Sequence, residues 1–309
     1  MTFENGNAIG GNGGAILNNG SLIVSNSDFT TNTAGTCGGA IYNSASGTAD
    51  ISTTNFTGNL ASSGGAICAD GQLTVSGGNL SGNITSGNGG AVLINSTAQS
   101  LIENAVLSSN EGSNGGAVSV TASGSLRTTG STYSFNRTSS GTGGAIYSEG
   151  TLTASNITVS TNQSAAGGAG IHQNGGSTTL SNTTVAFNNS LAGGTGLLGN
   201  MTLNNTLVDS NASSDCSGTL TASYSLISNI IGCTLGAGSN NNQTGVSAAL
   251  GSLSNNGGTT QTHLPANPGP AIDNGAPAGD LNCPIASNFD QRGVSRPQGA
   301  SCDIGSVEQ

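Results

Sequence analysis

Apolar residues in the first two hundred positions come singly or in pairs between Ser, Thr, Asn and Gly, and no segment keeps a helical period over a useful length. What recurs is a tetrapeptide. Gly13-Gly14-Ala15-Ile16 returns at Gly38-Gly39-Ala40-Ile41, Gly64-Gly65-Ala66-Ile67, Gly89-Gly90-Ala91-Val92, Gly115-Gly116-Ala117-Val118 and Gly143-Gly144-Ala145-Ile146, with degenerate copies from Gly167 and Gly193. Successive first glycines lie 24 to 28 residues apart. In phase with it runs an apolar residue followed three positions later by Asn: Phe29/Asn32, Phe56/Asn59, Leu80/Asn83, Leu107/Asn110, Tyr133/Asn136, Val159/Asn162, Val185/Asn188 and Val208/Asn211. Seven and five positions before that apolar residue come alternating pairs such as Leu22/Val24 and Leu73/Val75, spaced by Ser and Thr. This is the period-two alternation of a half-buried strand.

Each unit of about 26 residues therefore predicts three short strands: one after Gly-Gly, one at the Leu-x-Val pair and one at the apolar-x-x-Asn element. Such a unit cannot bury its apolar face alone, so neighbouring units must stack. The prediction is an all-β fold, a right-handed parallel β-helix of about eight to ten coils rising ~4.8 Å per coil. Ile16, Ile41, Ile67, Val92, Val118 and Ile146 would form an inward aliphatic column. Asn32, Asn59, Asn83, Asn110, Asn136, Asn162, Asn188 and Asn211 would form an amide ladder, each side chain bonding the next. At the other end, Thr2-Phe3 fits the apolar column, with Asn5 or Asn7 near the ladder position.

Composition agrees with tight stacking of small residues. Glycine is 52 of 309, charged residues are 6% where about 25% is usual, and aromatics are 3% with no Trp. Fourteen acids face four arginines and no lysine, giving a formal charge of −10. That balance excludes nucleic-acid binding by phosphate neutralisation. No run approaches the ~18 apolar residues of a membrane span, and the N-terminus lacks a secretory signal pattern, so a mature soluble fragment is expected.

The period fails after Asn211. The expected organisation is repeats over 1–211, a short irregular last coil or coils over 212–249, and a C-terminal cap over 250–309. The cap gathers His263, Asp273, Asp290, Arg292, Arg296, Asp303 and Glu308. The expectation is a network of salt bridges and hydrogen bonds, chiefly Asp273, Asp290, Arg292, Arg296 and Asp303, closing the open end of the solenoid. Cys216/Cys233 and Cys283/Cys302 flank irregular loops and should be disulfides, which points to an extracellular setting. Cys37 precedes one Gly-Gly and Cys68 follows the Ile of the next copy. Measured along extended strands they are about 16 Å apart, so both are expected to be free packing residues.

The Gly-Gly-Ala-Ile and Phe-x-x-Asn pairing resembles the passenger repeats of polymorphic outer-membrane autotransporter adhesins and, more broadly, of bacterial β-helix surface proteins, over about residues 1–211. Asn256-Gly257-Gly258-Thr259-Thr260-Gln261-Thr262-His263, Pro270-Ala271-Ile272-Asp273-Asn274-Gly275, Asp290-Gln291-Arg292-Gly293 and Cys302-Asp303-Ile304-Gly305 together resemble the choice-of-anchor Q domain, over about 250–309. These resemblances imply a cell-surface protein.

No catalytic, cofactor or metal residue is assigned. His172 and His263 are isolated, there is no Cys-x-x-Cys, and Glu4, Asp28, Asp50, Asp70, Glu103, Glu111, Glu149 and Asp209 scatter over different columns. The expected function is a non-catalytic, extracellular, structural or adhesive element of a bacterial cell surface. Its expected partners are a further copy stacked end to end into a filament, an upstream segment of a longer protein, or a surface glycan or host ligand. The alternatives are a carbohydrate-active enzyme, since β-helices house lyases and glycosidases that need paired carboxylates, and an ice- or glycan-binding protein. The last would use the outward column Ser25, Ser52, Ser76, Glu103, Thr129, Ser155, Ser181 and Asn204, which Glu103 interrupts.

Overall fold

The structure, a computed structural model, describes residues 1–284 and 288–309. Among them there is no helix. Every paired strand runs parallel to its neighbours, in sheets of 11, 8 and 18 strands, the last built from two columns. The chain is a parallel β-helix of about eight coils with additional shorter turns.

One coil shows how the sequence builds it. From the Gly64-Gly65 turn the chain enters Ile67–Ala69, then Gln72–Ser76, then Asn79–Ser81, and after Asn83 a two-residue strand, Ile84–Thr85. The coil has four strands, not the expected three. The fourth is too short to show a period, which is why pattern alone misses it. Leu73 and Val75 are buried while Gln72, Thr74 and Ser76 between them face outward.

The predicted columns stand in register. Ile16, Ile41, Ile67, Val92, Val118, Ile146, Ile171 and Leu197 pair coil to coil. So do Phe3, Phe29, Phe56, Leu80, Leu107, Tyr133, Val159, Val185, Val208 and Ile227. The first three rings stack nearly parallel, with centroids 4.6 and 4.9 Å apart, the spacing the strand ladder imposes. Tyr133 occupies the same inward column and is fully buried. Its hydroxyl is satisfied by Thr128 at 2.8 Å, and burial drives its pKa upward.

The Gly-Gly turn needs both glycines for different reasons. Gly89 has φ +72°, a region costly for a side chain. Gly90 lies under the next coil, and a Cβ there would run into the Gly116 carbonyl oxygen. Gly90→Ala is therefore expected to destabilise the protein by about 1–3 kcal/mol through overpacking. Denaturant titration checks this, and an unchanged midpoint would contradict the turn geometry.

That turn also corrects the cysteine expectation. Cys37 and Cys68 form a disulfide with Cα atoms 5.6 Å apart. The 16 Å ruler assumed extended chain, but the left-handed Gly38 folds Gly-Gly-Ala back on itself. A Cβ on Gly38 would lie 3.0 Å from the Tyr42 nitrogen, and Cys68 sits directly above Tyr42. Residues before and after the turn are thus lateral neighbours. The expected pairs Cys216–Cys233 and Cys283–Cys302 are also bonded, and no cysteine is free.

Beyond the last regular strand pair, Leu226–Ile227 with Gln243–Thr244, the tail contains antiparallel bridges such as Ser254 with Thr262 and Phe289 with Ser295. It lies along the outer face of the 11-stranded sheet, and burial records its footprint. Asp28–Thr30, Asn55–Thr57, Asn79–Ser81 and Val106–Ser108 bury only their central residue, whereas Thr132–Ser134, Thr158–Ser160, Thr184–Ala186 and Leu207–Asp209 are buried throughout. A second small core of Leu207, Leu226, Ala248, Ala271 and Ile304 joins tail to rod.

Candidate functional site

Three side-chain constellations concentrate the polar chemistry: the asparagine ladder, the seam between rod and tail, and the charged knot within the tail.

In the ladder, each buried Asn accepts on Oδ1 from both the backbone N–H and the Nδ2 of the Asn one coil earlier. Asn83 donates both to Asn110 Oδ1, at 3.0 and 2.9 Å, and Asn110 donates both to Asn136 Oδ1. The remaining Nδ2 proton reaches a carbonyl of the preceding coil, as from Asn110 to Leu80 at 2.9 Å. All eight predicted asparagines take part, from Asn32 to Asn211. At the beginning neither Asn5 nor Asn7 occupies the position; Gly6 does, and its N–H donates to Asn32 Oδ1. At the far end the ladder closes on a carboxylate. Asn211 donates its N–H and Nδ2 to Asp215 Oδ1, and Asp215 Oδ2 accepts from Ser228 and the Asn229 backbone, each at 2.7 Å. Burial raises the Asp215 pKa, opposed by these four donors. Asp215 lies four residues after Asn211, out of phase with the repeat, so periodicity does not reveal it.

The seam is built from the outward threonines of the covered coils. Thr132 donates to the Gln261 carbonyl at 2.6 Å and accepts from Gln291 Nε2 at 3.0 Å, while Thr158 donates to Gln291 Oε1 at 2.7 Å. Thr184 accepts from the Ser306 N–H, and Asn205 bridges the Asp303 carbonyl and the Ala276 N–H. His263, isolated in sequence, is buried here between Ser160 and Gly251. Because a carbonyl only accepts, Nδ1 carries the proton and donates to Gly251 at 2.6 Å, leaving Nε2 to accept from the Ser160 hydroxyl at 2.8 Å. Phe187 packs against the ring at 5.0 Å.

Burial lowers the His263 pKa. In the unfolded chain this His takes a proton near pH ~6.5, and in the docked state only at lower pH. Its contribution is therefore fully present above about 6.5 and is lost as pH falls toward the folded value. Asp215, Asp303 and Glu308, raised by burial, work in the opposite sense above their unfolded pKa values. These carboxyls are common to wild type and a His263→Gln variant, so their effect cancels in the comparison. Wild type is expected to lose stability relative to His263→Gln between pH 7 and 5, measured by denaturation at each pH. A pH-independent difference would rule out a neutral, buried imidazole.

The tail's knot contains the residues expected of it. Asp290 accepts from the Arg292 side chain at 2.8 Å and from the backbone of Arg292, Val294 and Glu308. Arg296 is fully buried against Glu308 at 3.1 Å and also donates to the Asp303 and Gly305 carbonyls. Asp303 accepts from the Asp273 and Gln309 N–H groups. Desolvation lowers the Arg296 pKa and raises those of Asp303 and Glu308, the direction burial imposes on charge of either sign. The network closes the tail on itself and seats it on the rod's flank.

On the exposed faces, three acids each engage one neighbour in an adjacent coil: Glu103 with Ser76, Glu111 with Arg137, Asp28 with Asn55. Asp70 accepts from Tyr42 and Asn95, and the hydrogen bond to Asp70, with burial and its charge, pushes the Tyr42 pKa up to about 12. His172 bonds Thr142 and packs edge-on to Tyr147, whose hydroxyl donates to Glu149. The outward column from Ser25 to Asn204 stands in register, with Glu103 within it. Among the described residues no group of three His, Cys, Asp or Glu side chains is placed to hold a metal ion, and no helix is long and apolar enough to cross a membrane. Compared with known proteins, the chain matches no family model, no curated protein and no solved structure.

Proposed function

We propose that this chain is a non-catalytic, extracellular structural or adhesive rod of a bacterial cell surface. The observation that carries the reading is the continuity of the stack. Inward columns run from Phe3 to Ile227, and the outer faces are columns of hydroxyls, amides and acids hydrogen-bonded to their neighbours, a surface suited to contact. Three disulfides, in rod and tail, fit an oxidising setting. The likeness of the repeats to autotransporter passenger repeats, and of the tail to the choice-of-anchor Q domain, adds cell-surface display to the proposal. Protease shaving of intact native cells should release peptides of this chain, and the purified protein should release no reducing ends from plant or microbial polysaccharides. Retention in the cytosol, or turnover of any of them, would reject the reading.

End-to-end assembly belongs to the same proposal. The strands Thr2–Glu4, Ile16–Asn18 and Ser21–Ser25 pair on one side only, over the partly exposed Phe3, Ile16 and Leu22. Such an edge accepts a further coil, from an upstream segment or another copy.

A further inference from the structure

Where the tail loop around Phe289 approaches the corner of the rod, a cleft of about 510 Å³ opens between them. We infer that this cleft binds a short neutral oligosaccharide, with Phe289 as the stacking face and the side-chain amides of Asn104, Asn156 and Asn288 as its hydrogen-bonding groups.

The cleft follows from the repeat. At the corner after the Leu-x-Val strand one residue per coil takes a left-handed conformation, and the column reads Asn104 (φ 52°), Gly130 (φ 62°), Asn156 (φ 50°) and Asn182 (φ 48°). At this corner Gly130 carries no side chain, and the Asn104 amide folds over it, its Oδ1 taking the space a Cβ there would need. The tail roofs the corner, fixed on one side by Thr260, which donates to the Gly130 carbonyl at 2.8 Å, and on the other by Asn156 Nδ2, which donates to the Phe289 carbonyl at 3.0 Å.

Three observations select the ligand. First, Asn156 Oδ1 is buried without a hydrogen-bond partner while its own Nδ2 is committed to Phe289. A buried acceptor left unpaired is costly, and a hydroxyl donor that reaches it as the Asn156 side chain shifts on binding would satisfy it. Second, Phe289 is 52% exposed although it belongs to a docked, hydrogen-bonded segment. An aromatic ring held at the mouth of a polar cleft offers an apolar face to the C–H side of a sugar ring, while amides offer donors and acceptors to its hydroxyls. Third, the charge lining the cleft is internally neutralised. Asp290 and Arg292 pair with each other at 2.8 Å, with side chains 0% and 11% exposed, so neither an anionic nor a cationic ligand gains a free counter-charge. The volume lies within the ~300–1,000 Å³ of small-molecule sites.

The inference deepens the adhesive reading, and it rests on that reading only for where the sugar would come from. Binding is measured on purified protein, so its failure leaves the localisation experiment untouched. The probes are cellotriose, maltotriose, mannotriose and chitotriose, with trigalacturonate as the charged comparison, followed by saturation-transfer NMR and titration calorimetry. At least one neutral trisaccharide should bind, more tightly than trigalacturonate. Phe289→Ala and Asn104→Gly should each weaken that binding by about tenfold or more, the loss of one good contact, without lowering the unfolding midpoint. Asn104 is exposed and Phe289 holds the rod through its backbone, so neither change should undo the fold. No binding by any neutral probe, equal or tighter binding of trigalacturonate, or binding that survives both substitutions would overturn the inference.

Discussion

Replacing Arg296 with Met should cost about 3–5 kcal/mol, the typical penalty for removing one partner of a buried ion pair. Arg296 and Glu308 are both 0% exposed, so the substitution leaves Glu308 charged and desolvated, with only the N–H groups of Asp303 and Gln298 to hold it. The Gly305 carbonyl loses its donor as well, while the Asp303 carbonyl keeps the one from Asn205. The damage should localise. The tail seats on Thr132, Thr158 and Thr184 through Gln291 and Ser306, next to this knot, so hydrogen exchange should accelerate first over residues 288–309 while the inward columns of coils one to four stay protected. Adding Glu308→Gln to Arg296→Met removes the stranded charge and should recover part of the loss. If the double variant proves less stable than the single one, burial of unpaired charge is not the cause.

The second large effect belongs to the ladder. Asn110→Ala strips the acceptor from two donors, the N–H and Nδ2 of Asn83, and the donor from the Leu80 carbonyl. All lie in a fully buried stretch, at about 1–3 kcal/mol for each group left unpaired. A total on the order of 4 kcal/mol is expected, reduced to the extent that water enters. The position matters as much as the residue type. Asn32 receives only the N–H of Gly6 from the coil before it, in a partly buried setting, so Asn32→Ala should cost distinctly less. Equal losses at the two positions would mean that the amides act as independent turn caps and not as a ladder.

The rod was legible because stacking turns one physical requirement into a repeated residue. An inward position must be apolar in every coil and a buried turn amide must be Asn in every coil, so columns such as Ile16 to Ile146 and Asn32 to Asn211 can be read from spacing alone. What was not legible does not repeat. The tail's contacts with the rod join residues far apart in sequence, such as Thr132 with Gln261, 129 apart, and Thr158 with Ser306, 148 apart, and the only local trace is the change from Asp28, Asn55, Asn79 and Val106 to Thr132, Thr158 and Thr184 at one outward position. Asp215 substitutes a carboxylate for an amide at an irregular spacing. The Cys37–Cys68 bond is hidden from any ruler laid along extended strands, because the glycines between the two positions make the segment fold back. The tail's charged residues were found by their concentration. Their placement against the flank of the rod follows from the shape of the docked tail, which no spacing encodes.

The most direct measurement is non-reducing peptide mapping of protein taken from its native host, with thiols blocked at the moment of lysis. Cys37–Cys68 can close only if the Gly-Gly turn folds back and adjacent coils stack in the observed register, and a persistent bond requires an oxidising compartment, so one bond tests both the rod and the proposed extracellular setting. The account predicts Cys37–Cys68, Cys216–Cys233 and Cys283–Cys302 as the three linked pairs, with no free thiol. Blocked, unpaired Cys37 and Cys68, or any exchange of partners among the six, would contradict it.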